Sequence, residues 1–190
     1  MAPGVSTPEK TAPGALELVQ RFVNSVDLES GEDELAGPEE LRAWLAERDL
    51  IAPDARVSRA DFNRAIDVRE GLRALLMANN GMPLDEQRVA RLDRAAARAA
   101  VRVVFMPGSD PRLAPESGGV DGAIARLLAI VAGAVEQGRW ERLKACPRDV
   151  CHWAFFDHSK NHSGRWCLME VCGNIEKARK FRERKRGAHS

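Results

Sequence analysis

Apolar side chains recur at three- and four-residue intervals along much of this chain, the period of helices that bury one face. Leu16, Leu18, Val19, Phe22, Val23 and Val26 follow it and predict a first helix from about Ala15 to Asp27. The acidic, glycine-containing stretch from Ser30 to Gly37 reads as a loop. Pro38 suits a first helical position, and Leu41, Trp44 and Leu45 give a second helix its inner face. Ser58 is a good N-cap, with Asp61 three residues on in place of the Glu of a capping box. Phe62, Ile66, Leu72, Leu75 and Leu76 carry that third helix to Asn79, where Asn80-Gly81 stops it. Pro83 to Ala99 is rich in Ala and Arg and predicts a fourth helix.

The pattern changes after residue 100. Val101, Val103, Val104 and Phe105 are β-branched or aromatic, and a turn cluster from Pro107 to Pro111 follows. A short hairpin is expected, its second strand near Arg112 to Ala114. Asp121 to Glu136, with Ile124, Leu127, Leu128, Ile130, Val131 and Val135, predicts a buried helix. Trp140 and Leu143 lead into a region of different composition.

The chain of 190 residues is 44% hydrophobic and 30% charged, enough for one ordinary domain and a small appendage. Residues 1–12, rich in Pro, Gly, Ser and Thr, are expected to be a disordered leader. Residues 13–139 are expected to form a mainly α domain (α+β by virtue of one short β-hairpin), and residues 140–190 a separate small module. The leader has no apolar segment of a secretory signal and no stretch approaches a membrane span. A cytoplasmic protein with reduced thiols and no membrane partner is therefore expected.

All four cysteines fall in the C-terminal part: Cys146, Cys151, Cys167 and Cys172. Two C-x4-C pairs separated by fifteen residues suit a tetrahedral ion, each pair supplying two ligands. One structural zinc ion fits best, since it takes thiolates and brings no redox chemistry. Two disulfides, an iron–sulfur cluster and four unrelated core thiols are the competing readings. His152, His158 and His162 lie close by in sequence and are read as surface or loop residues. Trp153, Phe155, Phe156 and Trp166 form a core too small to stand alone, so folding of the module is expected to be coupled to the metal.

Charge is divided unevenly. Residues 139–190 hold thirteen Lys and Arg against six Asp and Glu, whereas residues 1–138 carry an acidic excess. The basic residues concentrate after Cys172. Gly173 reads as a flexible joint and Asn174 as an N-cap, and Lys177, Arg179, Lys180, Arg182, Arg184 and Arg186 line the helix that follows. With Arg165, these are the candidate nucleic-acid contacts. DNA is the expected partner; an adaptor role toward an acidic protein or RNA is the alternative.

The run Cys146-x4-Cys151-His152-Trp153-x-Phe155-x-Asp157, then Arg165-Trp166-Cys167-x-Met169-x-x-Cys172-Gly173-Asn174 and Lys177-Ala178-Arg179, resembles the CGNR-type zinc finger. Phe22-Val23-Asn24-Ser25-Val26-Asp27, Leu41-x-x-Trp44-Leu45 and Arg69-Glu70-x-Leu72-Arg73 are similar to the ABATE domain that precedes that finger in bacterial proteins. The resemblance implies a zinc-binding, DNA-binding regulator of transcription induced by stress, with the four cysteines as ligands. One departure stands out: the fourth letter of the CGNR signature is Arg, and Ile175 occupies that place.

Within the body, Asn24 interrupts an apolar helical run and must find hydrogen-bond partners if buried. A neighbouring backbone group would serve. The sharper reading places Asn24, Asp27, Arg69 and Arg73 around a pocket for a small-molecule effector. Homodimerisation would enlarge a DNA footprint that one helix leaves small. No GxSxG, phosphate-binding Gly loop or HExxH is present, and no enzyme activity is expected.

Overall fold

A computed structural model describes residues 10–108 and 110–187. Helices α1 (Leu16–Val23), α2 (Pro38–Ala46), α3 (Arg59–Asn79), α4 (Glu86–Ala96) and α5 (Gly119–Glu136) build the body. The capping box at Ser58 forms in full, with Asp61 answering the Ser58 N–H at 3.0 Å. Helix α1 stops at Val23, short of the expected Asp27, because Asn24 leaves the helical path and Ser25 turns its hydroxyl back onto the Phe22 carbonyl at 2.9 Å. Strands β1 (Val101–Val104) and β2 (Arg112–Pro115) pair antiparallel as the expected hairpin, Val103 opposite Leu113.

One apolar core runs through these helices, with Phe22, Leu41, Leu45, Val68, Leu72, Leu76, Ile124 and Leu127 all sealed from water. Gly71 sets the closest approach of α3 to α4, since a Cβ there would run into the Leu92 side chain and the Arg88 carbonyl. The glycine is therefore a packing requirement in the middle of a helix that would otherwise favour alanine.

A second hairpin, absent from the sequence expectation, joins the body to the C-terminal part. Strands β3 (Leu143–Ala145) and β4 (Ala154–Phe156) pair antiparallel, Lys144 opposite Phe155. Alternation sends successive side chains to opposite faces. Leu143, Ala145, Ala154 and Phe156 enter the main core, while Phe155 enters a second cluster made by the four cysteines, with Trp153 and Trp166 against it. The main core thus continues past residue 139, where the sequence reading placed a domain boundary.

Buried amide and guanidinium groups of the body hold the backbone of this hairpin. The Asn24 side-chain NH2 donates to the Ala154 carbonyl at 2.9 Å, and the Ala154 N–H donates to Asn24 Oδ1 at 2.7 Å. Gln20 adds a second bond to the Ala154 carbonyl at 3.1 Å. Arg73, fully buried, donates to the His152 carbonyl at 3.1 Å and the Val23 carbonyl at 2.6 Å. Asn79 caps the Trp140 and Leu143 carbonyls, and Asn80 those of Ala145 and Arg165.

Two sequence expectations change in this light. The polar groups of Asn24, Arg69 and Arg73 meet protein partners instead of facing a ligand: Arg69 forks onto Asp33 at 2.7 and 2.9 Å and Arg73 also reaches Glu70 at 3.2 Å. Asp27 accepts from the Glu29 and Ser30 N–H groups of its own turn. Of the expected leader, residues 1–9 lie outside the described residues. Its last three residues are built into the fold: the Ala12 N–H donates to Gln20 at 2.6 Å, Lys10 sits over the Phe155 ring, and the Thr11 carbonyl meets His158 at 2.8 Å.

Replacing Asn24 by Ala leaves the Ala154 N–H without a partner, while the Ala154 carbonyl keeps Gln20. The variant should lose about 1–3 kcal/mol of stability, the cost of one buried donor left unsatisfied. A urea titration of the zinc-loaded chain measures it; a loss below about 1 kcal/mol would show that water replaces the amide.

Candidate metal centre and basic helix

The hairpin delivers the first ligand pair. Cys146 follows β3 directly and its N–H donates to the Trp153 carbonyl at 2.9 Å; Cys151 lies at the far end of the intervening turn, its N–H on the Arg148 carbonyl at 2.9 Å. Cys167 and Cys172 come from the segment after the loop. All four thiols are free and buried, and their sulfurs lie within 4.8 Å of one another. Cys167 Sγ is 3.6 Å from both Cys151 Sγ and Cys172 Sγ. Zinc–sulfur bonds of about 2.3 Å in a tetrahedron place sulfurs about 3.8 Å apart, so the cage fits the ion. No His, Asp or Glu joins the cluster among the described residues, and the His152 carbonyl is instead bonded by Arg73. The centre is one closed, structural zinc site.

Without an ion this crowding is costly to charge. Hydrogen bonds from the Cys151 and Cys167 thiols favour the thiolate of Cys146. The same bonds, together with burial and the neighbouring charge, push Cys151 and Cys167 upward, and burial pushes Cys172 upward. A divalent cation removes the conflict by accepting all four as thiolates, which ties metal affinity to pH.

The loop between the ligand pairs is organised by a buried ion pair. Lys144 Nζ donates to Asp157 at 2.8 Å and to the His162 and Gly164 carbonyls at 2.6 and 3.0 Å. Asp157 also receives the Ser159 and Gly164 N–H groups. Burial opposes its charge, but Lys144 and Ser159 outweigh that and hold the carboxyl below its ordinary range.

The second ligand pair runs into the basic helix without a joint. Residues Met169–Gly173 form a π turn that contains Cys172, and α6 (Asn174–Gly187) continues from it. Asn174 has helical backbone angles and bonds the Glu170 carbonyl at 3.1 Å, so it lies inside the helix and does not cap it. Gly173 is buried; a Cβ there would strike the Met169 sulfur and stand 3.0 Å from Trp166. It is a point of close packing, not the flexible joint the sequence reading expected. The wide turn places a zinc ligand and a helix start on one rigid segment.

Helix α6 is exposed to solvent from Lys177 to Arg186, with Phe181 62% exposed. Its basic residues are not equivalent. Arg179 is paired with Glu176 and Glu183, both at 2.8 Å, and Arg182 Nε donates to the Ala178 carbonyl. Lys177, Lys180 and Arg184 share one face with Phe181 and make no ion pair among the described residues. Arg186 and Arg165 are exposed, and the Arg165 carbonyl anchors Asn80. Ile175, at the signature's Arg position, is 41% exposed and brings no charge there. Sequence reading passed over Arg148, a loop arginine whose guanidinium lies against both Glu29 and the Cys172 sulfur.

A family model described as a "Putative stress-induced transcription regulator", ABATE, matches residues 16–137, well over half of the chain. The chain belongs to the ABATE family. A second model, the CGNR zinc finger, matches residues 142–185 and spans all four ligands. No curated protein matches the chain significantly. The seam between the ABATE body and the CGNR finger falls within the shared core, immediately before β3.

Two outcomes follow for the finger. Cys172→Ser should lower bound zinc below one per chain by metal analysis; full retention would remove Cys172 from the ligand set. Lys144→Met leaves a buried carboxylate unpaired and should cost about 3–5 kcal/mol at neutral pH. Because the native Asp157 carboxyl is depressed, its stabilisation is complete above about pH 4 and is lost as pH falls further. The gap between Lys144→Met and the parent chain should therefore narrow below about pH 4 in denaturant titrations, and a pH-independent gap would contradict the assignment.

Proposed function

We propose that this protein is a cytoplasmic, zinc-dependent regulator that acts by binding DNA, with α6 laid against duplex phosphates. The observation that carries the reading is the continuity of Cys172 with α6: the ligand and the exposed Lys177, Lys180 and Arg184 face belong to one uninterrupted helical segment. Zinc therefore sets where those cations point. The acidic excess of the body favours an approach in which the finger leads.

Engagement of Arg179 by two carboxylates assigns it a smaller share of phosphate binding than Lys177, Lys180 and Arg184. Phe181 lies among those three and is available to a sugar or a base. With Ile175 in place of Arg, position 175 adds no phosphate contact.

The test is titration of the zinc-loaded chain into a mixed-sequence DNA duplex across a range of salt. Each neutralised phosphate contributes about −0.9 to the log–log slope. Replacing Lys177, Lys180 and Arg184 together by Ala should flatten the slope by about 2.7, whereas Arg179→Ala should change it by less than one such unit. Chelation should abolish binding. Absence of binding at low salt overturns the reading and favours an adaptor for an acidic protein or RNA.

A further inference from the structure

Arg148 lies in the turn between Cys146 and Cys151, yet its strongest partner belongs to the body. Nη1 and Nη2 fork onto Glu29 at 2.9 and 2.8 Å across 119 residues of sequence. Nη1 also stands 4.0 Å from Cys172 Sγ, at the outer reach of an N–H···S contact. The Arg148 side chain is 14% exposed and that of Glu29 32%, so the pair lies at the edge of the finger where it meets the body.

The turn presenting Glu29 is held at both ends. Asp27 Oδ1 accepts the Glu29 N–H at 2.9 Å, and the Gly31 N–H returns to the Asp27 carbonyl at 2.8 Å. Val26 and Asp33 form a β-bridge, and buried Arg69 forks onto Asp33. Asp27 and Arg69 thus fix the carboxylate that fixes Arg148.

A divalent ion held by four thiolates leaves the centre doubly negative. A guanidinium against one sulfur offsets part of that charge. Cys172 is also the ligand inside the turn that starts α6. We propose that Arg148 is a positioning residue of the zinc centre, clamped by Glu29, so that zinc retention in the finger depends on the turn at residues 27–33 of the body. A disturbance of that turn is then felt first as looser zinc and next as a freed α6. The inference rests on the zinc site alone and holds whether or not α6 binds DNA.

The experiment compares the full chain with Arg148→Ala, Arg148→Lys and Glu29→Gln, each loaded with zinc or with cobalt(II) as a spectroscopic substitute. Competition against a chromophoric chelator reads zinc affinity. Loss of an outer partner of a metal ligand weakens binding by about 10–100-fold. Arg148→Ala should fall at the lower end of that range, Glu29→Gln should show a smaller loss, and Arg148→Lys should recover part of it. In the cobalt form, Arg148→Ala should move the sulfur-to-cobalt charge-transfer band to longer wavelength, because a sulfur without its N–H donor is the stronger electron donor. Altered packing alone would not move that band in a protein of unchanged circular dichroism. Unchanged affinity and an unmoved band in Arg148→Ala overturn the proposal. Should Arg148→Ala fail to fold, Glu29→Gln decides: it is isosteric and lies outside the finger, and parent-like zinc affinity in that variant overturns the clamp.

Discussion

Strand β4 has two edges, and only one is used by β3. At Ala154 the N–H and C=O that β3 leaves free point at the residue following α1, Asn24, which meets both with its carboxamide. A side chain at the end of the helix thereby acts as a short third strand. Unpaired backbone groups in a core are costly, so this bond pair fixes the depth and rotation at which the hairpin enters the body. Arg73, Asn79 and Asn80 repeat the device at His152, Leu143 and Ala145. Because the strands alternate, one hairpin then serves two cores: aliphatic and aromatic side chains on the body face, Phe155 and the zinc ligands on the other.

Zinc and body therefore support each other. The cysteines need an ion to hold four thiolates in one buried cluster, and the hairpin needs the body to satisfy its backbone. From the hairpin the constraint passes through the Lys144–Asp157 pair to the loop, then to the π turn, and from Cys172 into α6. Each link is short-range and polar or coordinative, which suits a module too small to make a large apolar core.

Much of this was legible in the sequence. The thiol spacing named the zinc site, helical periodicity placed the body helices, and a capping box at Ser58 marked the longest of them. The anomaly at Asn24 was visible as well, but its partner is 130 residues away, and no local pattern reveals that. Strands β3 and β4 have three residues each, too short for alternation to register. Gly173-Asn174 reads as a joint and a cap because that is the usual chemistry of such a pair; here the tight contact with Met169 and Trp166 determines the glycine. Arg69 and Arg73, one helical turn apart, read as lining for an effector pocket; the fold brings them carboxylates and carbonyls from distant parts of the chain instead. Arg148 carried no signal at all, since its role exists only once Glu29 and Cys172 are brought together.

The central claim is that the finger and the ABATE body fold as one cooperative unit about the β3–β4 hairpin. Differential scanning calorimetry of the full chain, with zinc bound and after chelation, tests it most directly. The account predicts a single transition for the zinc-loaded protein, which moves to lower temperature as a whole when the metal is removed, since the stripped hairpin weakens the core it shares. Two separate transitions, with the body's melting temperature unchanged by chelation, would contradict it.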